Sequence, residues 1–342
     1  MTSTDASSSR DGVHVPYLAL KKNAAGSDEP VLFNLSETKA IGGGIDQEGN
    51  RISCALKNNN CWATPQGWVL VRDAASSSTY LLDPQSISNR RRIELPHLPE
   101  ENLPTVCTCL LSEFPDTTTV QHDTCLVLLI ESHAPVIHYC HIDDAKWTKH
   151  EYDIGTQDLP DLGNGCCEKL IICSIAACEG KFYFNGGFRE LGVLEFCPAP
   201  MFSSIAIRDA IPQPPGFQRE FLVESQEELY MVSLLSHYDM DIVYRFHVYK
   251  MDFSTQEWRE VDDIGDRVFM LSSWYFGASL SAQGCGLQPN CVYVPYPWNK
   301  CIKIFNIKDG TEKVLNLDEA PESDLASCPG CFWRLARLRA TF

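Results

Sequence analysis

Sixteen cysteines, nine histidines and forty-five acidic side chains give this 342-residue chain many potential metal ligands, nucleophiles and proton carriers. Their spacing limits what they can do. Cys328-Pro-Gly-Cys331 is a CxxC pair, and Cys107-Thr108-Cys109 and Cys166-Cys167 are close pairs. A structural zinc site takes four ligands, commonly two such pairs at a fixed interval, and there is no second CxxC. Redox chemistry at Cys328 and Cys331 needs a βαβ context that the surrounding sequence lacks. The thiols read instead as core and loop residues. Cys125, Cys140, Cys173 and Cys178 each sit inside an apolar run, where free Cys acts as a small hydrophobe. No G-x-S-x-G elbow is present for a serine nucleophile. His138 and His141 lie on a strand-like run ending in Asp143-Asp144, a pattern of packing and surface residues more than of a general base. Gly42-Gly43-Gly44 has no following Lys-Ser/Thr, so it supplies no phosphate cradle. The expectation is no catalytic residue, no metal ligand and no cofactor.

Binding suits these residues better. Trp and Tyr dominate interface hot spots, and the chain carries Trp68, Trp147, Trp258, Trp274, Trp298 and Trp333. Most are expected to pack inside the molecule. Trp274-Tyr275-Phe276 and Tyr296-Pro297-Trp298 lie next to turns, so Trp274, Tyr275, Tyr296 and Trp298 are the candidate partner contacts. Arg91, at the centre of Arg90-Arg91-Arg92, is a fifth, suited to an acidic partner loop. Serine runs at Ser7–Ser9 and Ser76–Ser78 are common in loops and by themselves point to nothing. Lys and Arg number 28 against 45 Asp and Glu, a net charge of −17. Such a surface repels phosphate backbones and anionic lipid, which argues against nucleic acid and membrane as partners. No apolar run approaches the roughly 20 residues of a spanning helix. The opening MTSTDASSSRDG has neither the basic nor the apolar region of a signal peptide. The expected protein is a monomer, cytoplasmic and/or nuclear and not secreted, that binds another protein.

Apolar residues make up 44% of the chain and charged ones 21%, which excludes wholesale disorder. Helical periodicity is scarce. Short β-rich runs recur at 69–72, 80–83, 126–130, 136–141, 181–185, 193–196, 228–233, 243–253, 291–294 and 301–306. Turn signals such as Asp83-Pro84, Asn185-Gly186-Gly187 and Asp309-Gly310 separate them, the pattern of an all-β protein. One unit repeats: a strand ending in Asp or Asn, a turn, then a short strand often opened by Trp. Its anchors are Asn34, Asp83, Asp143, Phe196, Asp252 and Asn306, spaced 49, 60, 53, 56 and 54 residues apart. Asp and Asn suit this place because their side chains bond the backbone of a tight turn. The Trp is expected to cover the edge of the next sheet. A period near 50 with about four strands predicts a kelch-like β-propeller of six blades, seven remaining open. The first copy is short, and the segment from Cys331 to Leu335 is expected to supply its missing inner strand, closing the ring. The expected organisation is a disordered Ser-rich tail over 1–15, a single propeller over 16–335 and a basic tail over 336–342.

Several of these segments together resemble a known family. They include Gly67-Trp68-Val69-Leu70-Val71-Arg72-Asp73, Leu81-Leu82-Asp83-Pro84, Ile93-Glu94-Leu95-Pro96 and Trp147-Thr148-Lys149-His150. Others are the run from Ile172 to Tyr183, Met251-Asp252-Phe253, the run from Trp258 to Gly265, and Asn290-Cys291-Val292-Tyr293. The combination resembles the plant KIB-type β-propeller family, the domain of unknown function numbered 295, which often follows an F-box. The resemblance covers roughly residues 16–335. It implies a propeller that binds a protein and, where an F-box is present, presents substrates to a cullin-based ubiquitin ligase. No F-box is visible ahead of Pro16. The expected function is thus a non-enzymatic protein-interaction propeller whose partner is a ubiquitin-ligase component or its substrate. The alternatives are a propeller enzyme using a central-channel pocket, and a degenerate copy with no stable partner.

Overall fold

The structure is a computed structural model that describes residues 17–20, 31–35, 39–41, 59–83, 92–99, 106–115, 125–158, 167–208, 217–236, 243–272, 276–296, 301–317 and 332–334. Within them the chain is almost entirely β. The first sheet holds β1 (Tyr17–Leu20), β2 (Val31–Asn34) and β3 (Lys39–Ile41). The second is β4 (Asn60–Ala63), β5 (Val69–Arg72), β6 (Thr79–Leu82) and β7 (Arg92–Leu95). The third is β8 (Cys107–Leu111), β9 (Leu126–Glu131), β10 (Val136–His141) and β11 (Thr148–Glu151). A ribbon of β12 (Thr156–Asp158) and β13 (Cys167–Lys169) leads to β14 (Ile175–Cys178), β15 (Lys181–Phe184), β16 (Glu190–Phe196) and β17 (Pro200–Ala206).

The remaining strands form one sheet of nine. Its first part is β18 (Phe217–Ser225), β19 (Glu228–Ser236), β20 (Val243–Asp252) and β21 (Glu257–Val261). Its second part is β22 (Arg267–Leu271), β23 (Phe276–Ser281), β24 (Cys291–Tyr296), β25 (Cys301–Asn306) and β26 (Glu312–Asn316). The two parts meet where β18 and β23 pair in parallel at Leu222↔Phe276 and Val223↔Gly277. The last strand, β27 (Phe332–Arg334), returns to the first sheet and pairs antiparallel with β1, Ala19 facing Phe332. The predicted closure by N- and C-terminal strands is therefore present.

The core lies between the sheets rather than at one centre. β9 shows why: Val127 and Leu129 pack with Trp68, Leu70 and Leu81 of the second sheet, while Leu126, Leu128 and Ile130 pack with Ile175, Phe182 and Leu194 of the fourth. A strand covered on both faces needs apolar residues at every position, and its sequence reads so. Leu222, Met231 and Trp258 meet Tyr183 and Leu191 in the same way, and Leu35 joins the cluster around Val268 and Ile302.

Asn34, Phe196, Asp252 and Asn306 each end a strand, and Asp83 and Asp143 follow theirs by one and two residues. At Asp252 the carboxylate accepts the amides of Ser254 (2.9 Å) and Thr255 (3.2 Å), and Asn306 Oδ1 accepts those of Lys308 and Asp309. In the third sheet Asp144, next to the expected Asp143, does this work by accepting the His141 amide at 2.7 Å. The tryptophans need a correction of direction. Trp147 Nε1 donates to the carbonyl of Pro96 (2.8 Å) and Trp258 Nε1 to that of Gly187 (3.0 Å), each in the preceding sheet and not the following one.

The cysteines among the described residues are free thiols. Cys125, Cys140 and Cys178 are buried as expected, but Cys173 is exposed, because it precedes β14 and stands outside the ladder. No helix among the described residues is long and apolar enough to cross a membrane.

Candidate protein-interaction surface

Strand direction determines which ends share a face. In the nine-stranded sheet β18 and β23 run one way, and their antiparallel neighbours β19, β22 and β24 run the other. Phe217, Ser236, Val243, Ser272, Phe276, Tyr296 and Cys301 therefore stand at one end of this sheet.

Two large apolar rings are exposed there: Phe217 at 50% and Tyr244 at 41%. Phe217 opens β18 opposite Ser236. The β19–β20 register steps from Leu235↔Arg245 to Ser236↔Val243, so Tyr244 is the extra residue of a β-bulge. A bulge re-aims a side chain that regular pairing would bury or pair. Neither residue was selected from the sequence, where single aromatics in apolar strands look like core. The Pro-rich stretch just before Phe217 was the one available signal.

Of the five residues chosen from the sequence, only Tyr296 falls among those described; Trp274, Tyr275, Trp298 and Arg91 lie outside them. Tyr296 is 2% exposed, so its ring is a packing residue and not a surface anchor. It ends β24 on the inward face, where the strand meets Val294, Phe269 and Phe221. Its hydroxyl accepts a hydrogen bond from Arg219 Nη2 at 3.0 Å. The Arg219 guanidinium and Lys303 Nζ stand 5.6 Å and 5.1 Å from the ring centroid, within cation–π range. Lys303 also pairs with Glu312 at 3.0 Å. Tyr296 thus fixes two cations beneath the face that Phe217 and Tyr244 expose. In sequence, Trp274 and Tyr275 fall between Ser272 and Phe276, Trp298 between Tyr296 and Cys301, and Arg91 just before Arg92.

The opposite side of β18 carries Glu220, across from Ser233. Burial pushes its carboxyl up to about 7. Gln218 Nε2 donates to Ser233 Oγ at 3.0 Å, and the Leu222 amide donates to Ser174 Oγ at 2.7 Å, tying β18 to the fourth sheet.

His138 is buried and its Nε2 lies 3.0 Å from Glu131 Oε1, with Cys107 opposite Glu131 on β8. Burial raises the Cys107 thiol well above its ordinary value, the reverse of what a thiolate nucleophile requires. His141 is bound to the Asp144 turn. No group of three or more His, Cys, Asp or Glu among the described residues is placed to hold a metal ion.

A family model described as the KIB1-4 β-propeller matches residues 32–316. The chain belongs to that family. The KIB1-4 match runs from within β2 to the end of β26. An F-box/kelch-repeat protein of Arabidopsis thaliana is 34% identical over 123 residues, which are 33% of this chain and 29% of that protein. The matched part is thus under a third of that relative's length. Among solved structures, the Cps50 (Swd1) β-propeller domain of Myceliophteria thermophila is 11% identical with a TM-score of 0.36, covering 91% of this chain and 87% of its own. A luciferin-regenerating enzyme is 13% identical with a TM-score of 0.33, covering 64% and 62%. At these scores neither likeness bears on function.

Proposed function

We propose that this chain is a non-enzymatic, monomeric, six-bladed interaction propeller that grips a partner protein at the end of the nine-stranded sheet. The observation that carries the proposal is the pair of exposed rings, Phe217 and Tyr244, at the same sheet end as buried Tyr296 and its half-buried partners Arg219 and Lys303. Rigid aromatic rings over a packed base are what interface hot spots are made of. Trp274, Tyr275 and Trp298 are assigned to the same rim, and Arg91 to a separate contact. The F-box/kelch-repeat relative supports a partner that is a ubiquitin-ligase component or its substrate.

The test is quantitative affinity purification of the tagged protein from its native tissue, beside a Phe217→Ser/Tyr244→Ser double variant and Trp298→Ala. The ligase adaptor and cullin are probed directly. The expected result is a reproducible partner whose recovery falls at least about fivefold in both variants, while circular dichroism and the unfolding midpoint stay unchanged. Equal recovery by a folded double variant would overturn the proposal.

A further inference from the structure

The turn from β5 to β6, Asp73 to Ser78, carries three consecutive serines and faces a cation across the sheet. Asp73 Oδ1 accepts the amides of Ala75 and Ser76, both at 2.8 Å, and the Asp73 amide closes the turn on the Ser78 carbonyl at 2.9 Å. Ser77 holds a left-handed φ of 57°, with its carbonyl 2.6 Å from His97 Nδ1. The Oγ atoms of Ser76 and Ser78 are 2.8 Å apart.

Arg92, the first residue of β7, lays its guanidinium over the Tyr80 ring, 3.6 Å from the centroid. Beyond that ring its Nη2 reaches Ser78 Oγ at 3.3 Å, long for a bond to a hydroxyl. Its Nε and Nη2 also grip the two carboxylate oxygens of Glu94, two residues on along the same strand, whose side chain is 64% exposed. The guanidinium is therefore held by stacking and by a two-donor ion pair open to water, with Nη2 within reach of the serine oxygen. A phosphate on Ser78 would take the same two parallel N–H donors and bring about two negative charges against the single charge of Glu94.

We propose that Ser78 is a phosphorylation site for a serine-directed, ATP-dependent protein kinase, with Arg92 as the receptor of the phosphate. In that step Ser78 Oγ attacks the γ-phosphorus of ATP. The new O–P bond forms as the bond to the β–γ bridging oxygen breaks, ADP departs, and the hydroxyl proton passes to the kinase's base. The turn gains about two negative charges at neutral pH, and Arg92 exchanges Glu94 for the phosphate. Asp73 is the carboxylate within the turn. Its bonds to the Ala75 and Ser76 amides hold its pKa below the usual carboxylate range, so it stays ionised and opposes the phosphate. Arg92 must outweigh it.

Two measurements test this, neither of which depends on the proposed partner. The first maps phosphate by mass spectrometry on protein immunopurified from native tissue in phosphatase inhibitors, and the expected finding is phosphoserine at 78. A covered peptide with Ser78 unmodified, or phosphate on Ser76 or Ser77 alone, would overturn the proposal. The second uses the full chain made with phosphoserine encoded at position 78, followed by phosphorus NMR. Pairing with Arg92 is expected to lower the second phosphate pKa by about half a unit from its free value near 6 and to slow removal by a broad-specificity phosphatase severalfold. Arg92→Gln should abolish both effects, and Arg92→Lys should restore only part of them. An unchanged titration and unchanged rate in Arg92→Gln, with its fold intact by circular dichroism, would remove Arg92 from the site.

Discussion

Glu220 is a carboxyl placed where ionisation is costly. Burial on β18, with Ser233 opposite, pushes it up to about 7, against roughly 4.3 for a solvated glutamate. Below about pH 4 both the folded and unfolded chains hold the proton, and Glu220 costs nothing. As pH rises toward 7 the unfolded chain releases its proton first, so stability falls between about pH 4.5 and 7 and stays lower above that. At about 1.4 kcal/mol per pKa unit the loss approaches roughly 4 kcal/mol as an upper bound, since Glu220 is only partly buried. Glu220→Gln keeps the size of the side chain and removes the charge. We expect the variant to be more stable than the natural chain at pH 8.5 by about 2 kcal/mol in urea unfolding, with the difference much smaller at pH 5.5. A difference that does not change with pH would mean that Glu220 is solvated in the folded state. The same strand presents Arg219 to the Tyr296 hydroxyl on its other face, so alternate residues of one strand serve opposite environments.

Tertiary ties between neighbouring sheets rest on a repeated device, the indole that follows the third-strand turn. Trp258 is 6% exposed and donates to the Gly187 carbonyl, as Trp147 does to that of Pro96. Trp258→Phe keeps an aromatic ring and removes the donor, leaving a carbonyl short of its partner. The expected cost is about 1–2 kcal/mol, read as a lower urea midpoint with unchanged slope. Trp147→Phe should cost a similar amount, and the two should add, since the sites share no partner. Strong coupling between them would show that the two ties are not independent. Such anchors were legible in the sequence because Asp252 and Trp258 are chemically distinctive and recur. Inner strands were legible too: Val136–His141 and Cys301–Asn306 have the expected bounds. Outer strands were not. β17 is the edge strand of its sheet, with Met201, Ser203, Ser204 and Ala206 exposed, so its sequence carries no apolar run. β22 was missed because it lies parallel to β24, outside a four-strand repeat. The exposed rings were missed for a related reason. What turns Tyr244 outward is the register step at Ser236, a property of two paired strands that neither sequence encodes alone.

Ring closure is the property that belongs to the whole molecule. β27 pairs with β1 at Tyr17↔Arg334, Leu18↔Trp333 and Ala19↔Phe332, joining residues more than three hundred positions apart. This junction differs from the others because the chain does not continue through it. Between the second and third sheets a covalent connection backs the packing of Leu70 and Leu81 against Val127, whereas the first sheet keeps its inner strand by pairing alone. A three-residue ladder contributes roughly 2–3 kcal/mol net, at about 1 kcal/mol per backbone hydrogen bond. Deleting residues 332–342 should therefore lower the thermal midpoint by roughly 3–4 °C. It should also leave β1 as an open edge, and such edges recruit other chains. The deletion variant is thus expected to associate as its concentration rises, seen as a growing mass in light scattering, where the full chain stays constant. A synthetic peptide spanning residues 328–342, added in excess, should restore the midpoint and suppress the association. An unchanged midpoint and mass in the deletion variant would mean that the ring holds without its last strand, and that the β27–β1 pairing is not what closes it.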